Sequence, residues 1–381
     1  MNAENANRLQ GRKILKITKI SSYQKDLPYV GGGLAVGDLT AERTRQFDAF
    51  NSTVVVIDTD AGVSGCGEAC PWGASNLGAL PALPGLAAAL LGKDPRELHK
   101  IERNMDAAIE GHSYAKSAVD MACWDILGKS AGMPVHTLLG GKFCDGPPLY
   151  RCVMEQDHDK IRAEMEQYRV AGYRFFKLRV GIEPESDIEL IRFAAGLAQP
   201  GEVVYADANC RWTLHDALKV VRAVEDLGIM IEQPCLSYQE CLHVRARTKL
   251  SMKLDELVTD QFMAERLTQD MIADVACVKM ARIGGLTKAR RIRDYLVGHG
   301  IKVVPECMMG GEIVSAAVSH FAASTPAELL FNTADLHAYH TEPTGTQAPP
   351  TSNGRLYCHD TPGLGVEPDF ESLGDPVAVF E

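Results

Sequence analysis

The chain lacks the features that mark nucleic-acid-binding and membrane proteins. Its formal net charge is −11, and it has no cluster of Lys and Arg that could follow a phosphate backbone. No stretch reaches the roughly 18 consecutive apolar residues of a membrane span. The first ten residues contain no apolar core of signal-peptide length. We therefore expect a cytoplasmic protein that binds neither nucleic acid nor membranes.

The cysteines lack the pattern of a disulfide framework or of a zinc site. Their number, 11, is odd, and they are scattered from Cys66 to Cys358. Cys66 and Cys70 lie four residues apart, but no second pair follows them at the spacing of metal ligands. Buried free thiols behave as small apolar side chains, so we expect reduced cysteines.

What the chain does have is a series of short apolar runs that each end in an ionisable residue. These runs end at Lys177, Asp207, Glu232, Asp255, Lys279 and Glu306, at intervals of 30, 25, 23, 24 and 27 residues. A (β/α)₈ barrel allots roughly 25–31 residues to each strand–helix unit and carries its chemistry at the carboxyl ends of the strands. The series therefore predicts the mouth of such a barrel.

The predicted fold class is α/β, a modified (β/α)₈ TIM barrel with a second, α+β domain. We place the α+β domain at residues 13–145, the barrel at 146–342, and a segment that returns to the first domain at 343–381. At 381 residues the chain exceeds one average domain, which suits this division. Residues 329–331 are the candidate eighth strand.

Three of the strand-end residues are carboxylates: Asp207, Glu232 and Asp255. Carboxylates that face one another repel, and their pKa values rise unless a cation keeps them ionised. Mg²⁺ prefers such oxygen ligands, so these residues predict a Mg²⁺ site. The alternative is a carboxylate layer paired with Lys and Arg across the barrel. We expect Asn209 to share a strand face with Asp207, and Glu256 to point the other way.

Lys279, Lys177 and Arg179 are the candidate catalytic residues. Lys279 ends the sixth strand, and the other two end the second strand, across the mouth from it. A lysine close to a divalent cation loses proton affinity and can act as a base near neutral pH. This arrangement suits abstraction of a proton α to a carboxylate. The alternative for Lys279 is a simple counter-ion to the carboxylates.

These motifs resemble the enolase superfamily, in its muconate-lactonizing-enzyme-like subgroup. The matching stretches are Lys177-Leu-Arg179, Asp207-Ala-Asn209, Glu232-Gln-Pro234, Asp255-Glu256, Lys279-Met-Ala-Arg-Ile-Gly-Gly285 and Ala118-Val-Asp-Met-Ala-Cys-Trp-Asp125. The resemblance implies Mg²⁺ on Asp207, Glu232 and Asp255, an N-terminal domain that caps the barrel, and a homo-oligomer. It also implies covering loops at residues 27–48 and around Trp72.

The chain departs from this subgroup at one catalytic position. Members usually carry Lys-x-Lys at the second strand, where the second lysine is an acid/base, but here that position is Arg179. Arginine is effectively never deprotonated, so Arg179 suits a carboxylate clamp better than a base. Lys177 could take over part of the role, and Lys279 is the best single base. The His of acid-sugar dehydratases at the seventh strand and the His-x-His of metal hydrolases at the first are both absent.

The substrate is predicted to be a small carboxylate, with Asn209, Glu306, Asp335 and Trp72 as candidate substrate-binding residues. Asp335 offers an acid for an ammonium or imino nitrogen. The chain most resembles hydroxyproline-type enzymes, the betaine epimerases and cis-3-hydroxyproline dehydratases. With three tryptophans and none after the eighth strand, an aromatic cage for a quaternary ammonium is disfavoured. We expect a dehydratase of a small amino or imino acid, with an epimerase and a non-catalytic metal-binding barrel as alternatives.

Overall fold

The computed structural model describes residues 15–30, 34–36, 45–47, 49–71 and 79–381. Its strands alternate with helices from the middle of the chain onwards, as the sequence predicts. The described strands are β1 (Ile17–Pro28), β2 (Leu34–Val36), β3 (Arg45–Phe47), β4 (Ala49–Thr59), β5 (Ser64–Ala69), β6 (Tyr150–Val153), β7 (Phe175–Arg179), β8 (Val203–Asp207), β9 (Met230–Glu232), β10 (Ser251–Leu254), β11 (Val275–Lys279), β12 (Lys302–Glu306), β13 (Thr351–Ser352), β14 (Arg355–Leu356) and β15 (Ala378–Phe380).

The helices of the second half follow the barrel strands one by one. The described α-helices are α1 (Leu83–Leu90), α2 (Leu98–Ala108), α3 (Ser113–Ala131), α4 (Val135–Leu138), α5 (His158–Val170), α6 (Pro184–Leu197), α7 (Leu214–Ala223), α8 (Tyr238–Arg245), α9 (Gln261–Gln269), α10 (Met280–Ile283), α11 (Leu286–Gly298), α12 (Glu312–Ala323) and α13 (Phe370–Leu373). Short 3₁₀ turns lie at Leu80–Ala82, Glu225–Leu227 and Leu336–Tyr339.

Seven strands form one parallel sheet in the order β12-β11-β10-β9-β8-β7-β6. The eighth position is filled by the segment that begins at Leu329. Its backbone pairs with Val303 on one side and with the start of β6 on the other, through the isolated bridges Val303–Leu330 and Leu149–Thr333. The curled sheet is thus closed into a barrel, although the eighth segment makes bridges rather than a continuous strand. The predicted fold class is confirmed.

The first domain is built on an antiparallel sheet in the order β15-β1-β4-β5. The last strand of the chain pairs with the first, with Ile20 opposite Phe380. Helix α3 packs on this sheet and is buried on most of its circumference. A Cβ added at Gly67 of β5 would overlap the carbonyl oxygen of Ala118 in α3. Glycine at this position therefore allows the close approach of strand and helix.

Buried carboxylates join the first domain to the barrel. Glu68 of β5 accepts hydrogen bonds from the backbone N–H groups of Gly311 (2.8 Å) and Val314 (3.1 Å) at the start of α12. Asp120 of α3 accepts one from the N–H of Thr287 (2.9 Å) at the start of α11. Carboxylates are favourable at helix N-termini because the orphan N–H groups and the helix dipole face them. The bounds 13–145, 146–342 and 343–381 remain a proposal for the domain division. In the part of the chain that the structure describes, no helix is long and apolar enough to cross a membrane.

Candidate active site

The carboxyl ends of neighbouring barrel strands bring the ionisable residues together. In the register of the parallel sheet, Arg179 lies beside Asp207, and Asp207 beside Glu232. Lys279 lies beside Glu306. Parallel strands with side chains that alternate between two faces leave these groups on the same rim of the barrel.

The three carboxylates are buried and paired with cationic side chains. Lys177 Nζ lies 3.2 Å from Asp207 Oδ2 and 3.3 Å from Glu232 Oε1. Asp255 Oδ2 accepts a hydrogen bond from Lys279 Nζ at 2.7 Å. The salt-bridged layer, which was the alternative to a metal site, is therefore present in this structure, and the Mg²⁺ site itself stays a prediction.

Burial and charge act on these carboxylates in opposite directions. Burial raises the pKa of Asp207, but Lys177 and Arg179 outweigh it, and the pKa lies below its ordinary value. Burial also raises the pKa of Asp255, yet Lys279 and Arg282 bring it well below the ordinary value. The pKa of Glu232 is raised, because burial and Asp207 outweigh the nearby lysines. Of the three carboxylates, only Glu232 thus shows the expected rise in pKa.

The chemistry of this donor set fits a hard divalent cation. Glu232 Oε2 is buried and makes no hydrogen bond among the described residues, although Lys177 Nζ lies 3.3 Å from it. Glu256 Oε2 is likewise buried and makes no hydrogen bond among the described residues. Unsatisfied buried oxygens are uncommon in folded proteins and call for an explanation such as an ion. Oxygens of this type are the ligands that Mg²⁺ takes.

Lys279 is the most accessible of the barrel lysines that touch the carboxylates. Its side chain is 11% exposed, against 2% for Lys177 and 0% for Lys253. Burial lowers the pKa of Lys279, but Asp255 and Glu306 outweigh it and raise the pKa above its ordinary value. Lys279 is therefore held in its protonated form by the ionised Asp255 beside it.

Lys177 and Arg179 occupy different depths at the end of β7. Lys177 is enclosed between two carboxylates and the ring of Tyr150, whose centroid lies 4.7 Å from Nζ. Burial lowers its pKa, but Glu232, Tyr150 and Asp207 raise it well above the ordinary value. Arg179 is nearer the rim and donates from Nη1 to Asp207 Oδ2 at 2.7 Å. This placement favours a holding role for Lys177 over proton transfer.

Asn209 and Glu256 meet at the mouth in a way that strand periodicity does not predict. Asn209 lies beyond the end of β8 with a positive φ of 44°, so it does not continue the face of Asp207. Its backbone N–H nevertheless donates a hydrogen bond to Asp207 Oδ1 at 2.9 Å. Its side-chain nitrogen donates to Glu256 Oε1 at 3.1 Å. The expectation that Glu256 points away is wrong, because the chain leaves the strand at Leu254 and the alternation of faces ends there.

Glu306 and Asp335 are already occupied by protein groups. Glu306 Oε1 accepts from Tyr150 Oη at 2.6 Å, and Oε2 accepts from the thiol of Cys277 at 3.0 Å. Asp335 forms a bidentate ion pair with Arg151, with 2.8 Å between Nη2 and Oδ2. Because these carboxylates already bind protein groups, neither Glu306 nor Asp335 is favoured for direct contact with substrate. The candidate Trp72 lies outside the described residues.

Several residues of the site carry no strand-end signal and were not singled out by the sequence. Lys253 lies in β10 with a fully buried side chain, and a charged residue inside the apolar run that leads to Asp255 is the signal that could have found it. Arg282 reaches Asp255 Oδ1 at 2.6 Å from the short helix α10. Gln233 accepts the N–H of Asp255 at 3.0 Å and so fixes the loop that presents this carboxylate.

A second group of metal-type ligands comes from α4, α12 and the C-terminal segment. His136, His320 and Cys358 have ligand atoms within 4.8 Å of one another. However, His320 Nδ1 accepts the backbone N–H of His136, and Nε2 faces the carbonyl oxygen of Leu364 at 3.0 Å. Because both ring nitrogens serve backbone groups, His320 offers no free lone pair for a metal.

Two family profiles and several relatives match the chain. The family profile described as enolase C-terminal domain-like matches residues 160–373. The N-terminal domain profile of mandelate racemase / muconate lactonizing enzyme matches residues 40–140. The chain is 41% identical over 371 residues to the cis-3-hydroxy-L-proline dehydratase of Roseibium aggregatum, across 96% of this chain and 100% of that protein. Other relatives are racemases, epimerases and cycloisomerases.

Solved structures show the same likeness. A mandelate racemase/muconate lactonizing enzyme from Roseovarius nubinhibens has a TM-score of 0.91 at 48% identity, and the match covers 96% of this chain and 98% of that one. An enolase superfamily member from the same organism, complexed with magnesium, has a TM-score of 0.90 at 34% identity over 96% and 100%. With both domains matched and a relative at 41% identity over nearly its whole length, the chain belongs to the mandelate racemase/muconate lactonizing enzyme family of the enolase superfamily, a family of enzymes.

Proposed function

We propose that this enzyme is a Mg²⁺-dependent dehydratase that removes the α-proton of a small imino acid of the cis-3-hydroxyproline type. One observation carries the proposal. Among the described lysines that touch the three carboxylates, Lys279 has the most exposed side chain, and Arg179, on the strand four positions away in the barrel, cannot act as a base. An elimination needs one base on the α-carbon, whereas epimerisation needs a proton donor on the opposite face. The likeness to the Roseibium dehydratase over 96% of the chain supports the same reaction.

Asp207, Glu232 and Asp255 would hold the Mg²⁺. The unsatisfied Oε2 of Glu232 supports this assignment. When bound there, Mg²⁺ would stabilise the negative charge that develops on the substrate carboxylate as the α-proton leaves. Lys177 and Gln233 hold the ligands in place, since Lys177 contacts Asp207 and Glu232, and Gln233 accepts the N–H of Asp255.

Lys279 would take the α-proton. It has to be neutral first, and its pKa falls once the charge of Asp255 is compensated, because Asp255 is the largest influence that raises it. The elimination breaks the α-carbon–hydrogen bond and the carbon–oxygen bond of the 3-hydroxyl group and forms a carbon–carbon double bond. In the cis isomer the 3-hydroxyl group lies on the opposite face of the ring from the α-proton, so the departing hydroxide takes a proton from solvent and leaves as water. The protonated Lys279 then releases its proton to solvent. The enamine product then tautomerises to a cyclic imine.

Arg179 would bind the substrate carboxylate. Its guanidinium is charged at all working pH values and has a fork of donors that matches a carboxylate. Asp207 and Asn209 hold the guanidinium at the rim. Asn209 would act with Arg179 as a substrate-binding residue. Because Lys177 is enclosed by two carboxylates, we propose no proton transfer for it, and the epimerase is the second candidate.

The protein would act in a reducing compartment as a homo-oligomer. All 11 cysteines are free, and free thiols are typical of the cytoplasm. Light scattering of the purified enzyme measures the oligomeric state, and a monomer would contradict that part of the proposal.

The direct test is incubation of the enzyme with cis-3-hydroxy-L-proline and Mg²⁺ in D₂O, followed by NMR. We expect loss of water and a cyclic imine, no turnover after treatment with EDTA, and recovery when Mg²⁺ is restored. Glu232→Gln should lose activity, whereas Glu189→Gln, on an exposed helical position, should keep it. A deuterated epimer without loss of water would favour the epimerase. If the enzyme forms neither the imine nor the epimer, both functions are contradicted for this substrate.

A further inference from the structure

Lys253 is a fully buried cation that makes no hydrogen bond among the described residues. Its side chain is 0% exposed, and its Nζ lies 3.0 Å from Glu232 Oε1 without the geometry of a hydrogen bond. The ring centroids of Tyr205 and Tyr150 lie 5.0 and 5.7 Å from Nζ. The ammonium is thus held by the charge of Glu232 and by the faces of two rings.

Lys253 is one of the cations that match the carboxylates at the barrel mouth in number. The carboxylates that pair with cations there, or with residues that do, are Asp207, Glu232, Asp255, Glu256 and Glu306. Burial raises the pKa of Glu256 to about 7, so this carboxyl is only partly ionised near neutral pH. The cations that touch or face them are Lys177, Arg179, Lys253, Lys279 and Arg282. The two sets are equal in number, and the neighbouring pair of Arg151 and Asp335 cancels itself. A divalent cation added to this site near neutral pH therefore meets an environment without net negative charge.

We infer that Lys253 is a positioning residue that weakens the binding of Mg²⁺ by itself and strengthens the binding of the substrate carboxylate. The inference rests on the proposed function, because it takes Glu232 as a metal ligand. Lys253 and the metal compete for the same carboxylate, and two cations on one buried carboxylate repel each other strongly in a medium of low dielectric constant.

The same charge acts on the substrate in the opposite direction. A substrate carboxylate that enters the mouth is attracted by all five cationic side chains there, including Lys253. Removal of this charge should thus tighten Mg²⁺ binding and loosen carboxylate binding, with the larger change for Mg²⁺, which would share Glu232 with Lys253 and is doubly charged. A purely structural role for Lys253 predicts that both ligands bind more weakly, because both need an intact site.

The test is isothermal titration calorimetry of the whole enzyme with MgCl₂, and of the Mg²⁺-loaded enzyme with L-proline. L-Proline carries the carboxylate and the ring nitrogen but lacks the 3-hydroxyl leaving group, so it binds without elimination. The variants are Lys253→Met, which keeps the length of the side chain, and Lys253→Gln, which keeps a polar end. Lys116→Met is the matched control, since Lys116 is also a buried lysine, 5% exposed, but pairs with Asp106 in the first domain.

For both Lys253 variants we expect Mg²⁺ to bind roughly tenfold or more tightly than in the wild type, on the scale of one unscreened charge. L-Proline should bind about threefold or more weakly to the loaded variants. The control should match the wild type for both ligands. Weaker binding of both ligands, unchanged binding of Mg²⁺, or failure of both variants to fold would each overturn the inference. If Mg²⁺ does not bind the wild-type enzyme at all, the proposed function fails instead.

Discussion

Lys279 and Asp255 form an ion pair in which Nζ lies 2.7 Å from Oδ2. The proposed base is thus joined to one of the proposed metal ligands, and the charge state of one depends on the other. Asp255 is in turn held by Arg282, which donates to its Oδ1 at 2.6 Å. If Asp255 holds the metal as proposed, this chain of contacts would link metal binding to the protonation of Lys279.

The first prediction concerns Lys279. Lys279→Ala should lower the exchange of the substrate α-proton with D₂O by roughly 10²–10⁴-fold, the usual cost of losing a general base. NMR of the α-proton signal measures this exchange. Lys302→Ala, at the opposite end of a barrel strand and exposed, should leave it unchanged. Full exchange in Lys279→Ala would show that another group is the base.

The second prediction concerns Arg179. Arg179→Lys replaces a planar fork by a point charge, so it should raise KM for the substrate more than it lowers kcat. It also introduces a titratable amine at the rim, and we expect epimerisation to rise relative to elimination. Steady-state kinetics with chiral analysis of the products measures both. A large fall in kcat with unchanged KM would contradict the role of Arg179 in binding the substrate carboxylate. It would indicate that Arg179 takes part in the chemical step.

The third prediction concerns the pH dependence of stability at His320. Burial lowers the pKa of this imidazole from 6.5 to about 3. Between these values the unfolded chain binds a proton that the folded chain does not, so stability is lost as the pH falls below 6.5 and the loss ends near 3. The slope for one such group is up to about 1.4 kcal/mol per pH unit.

Urea unfolding at several pH values from 4.5 to 7 measures this slope. His320→Gln is the comparison, because an amide can accept from the His136 N–H and donate to Leu364 without titrating. We expect the free energy of unfolding of the wild type to fall more steeply with acid than that of the variant. Parallel curves would show that His320 does not contribute.

The fourth prediction concerns the packing of β5 on α3. Gly67→Ala should lower the free energy of unfolding by about 1–3 kcal/mol or more, because the new methyl group would overlap the backbone of α3. Gly196→Ala is the control, since no atom lies within 4 Å of the added methyl group on the exposed side of α6. That variant should gain up to about 1 kcal/mol from helix propensity. Equal stabilities of the two variants would contradict this account of the packing.

The sequence by itself was enough to predict the barrel and the residues on its rim. Strand ends recur with the period of the βα unit, and parallel strands must end on one side of the barrel. Asp207, Glu232, Asp255 and Lys279 could therefore be placed together without coordinates. The eighth strand was placed correctly at 329–331, although its form as isolated bridges was not foreseen.

Only the tertiary structure decided what each charged group touches. Periodicity describes faces within a strand, but Asn209 and Glu256 lie beyond the strand ends, where the backbone turns and the alternation stops. The partner of Asp335 is Arg151, 184 residues away in the chain, and no local pattern connects such residues. Lys253 looks in the sequence like one lysine in a short strand. Its charge matters because the closed barrel excludes water around it, and the exclusion of water is a property of the assembled fold.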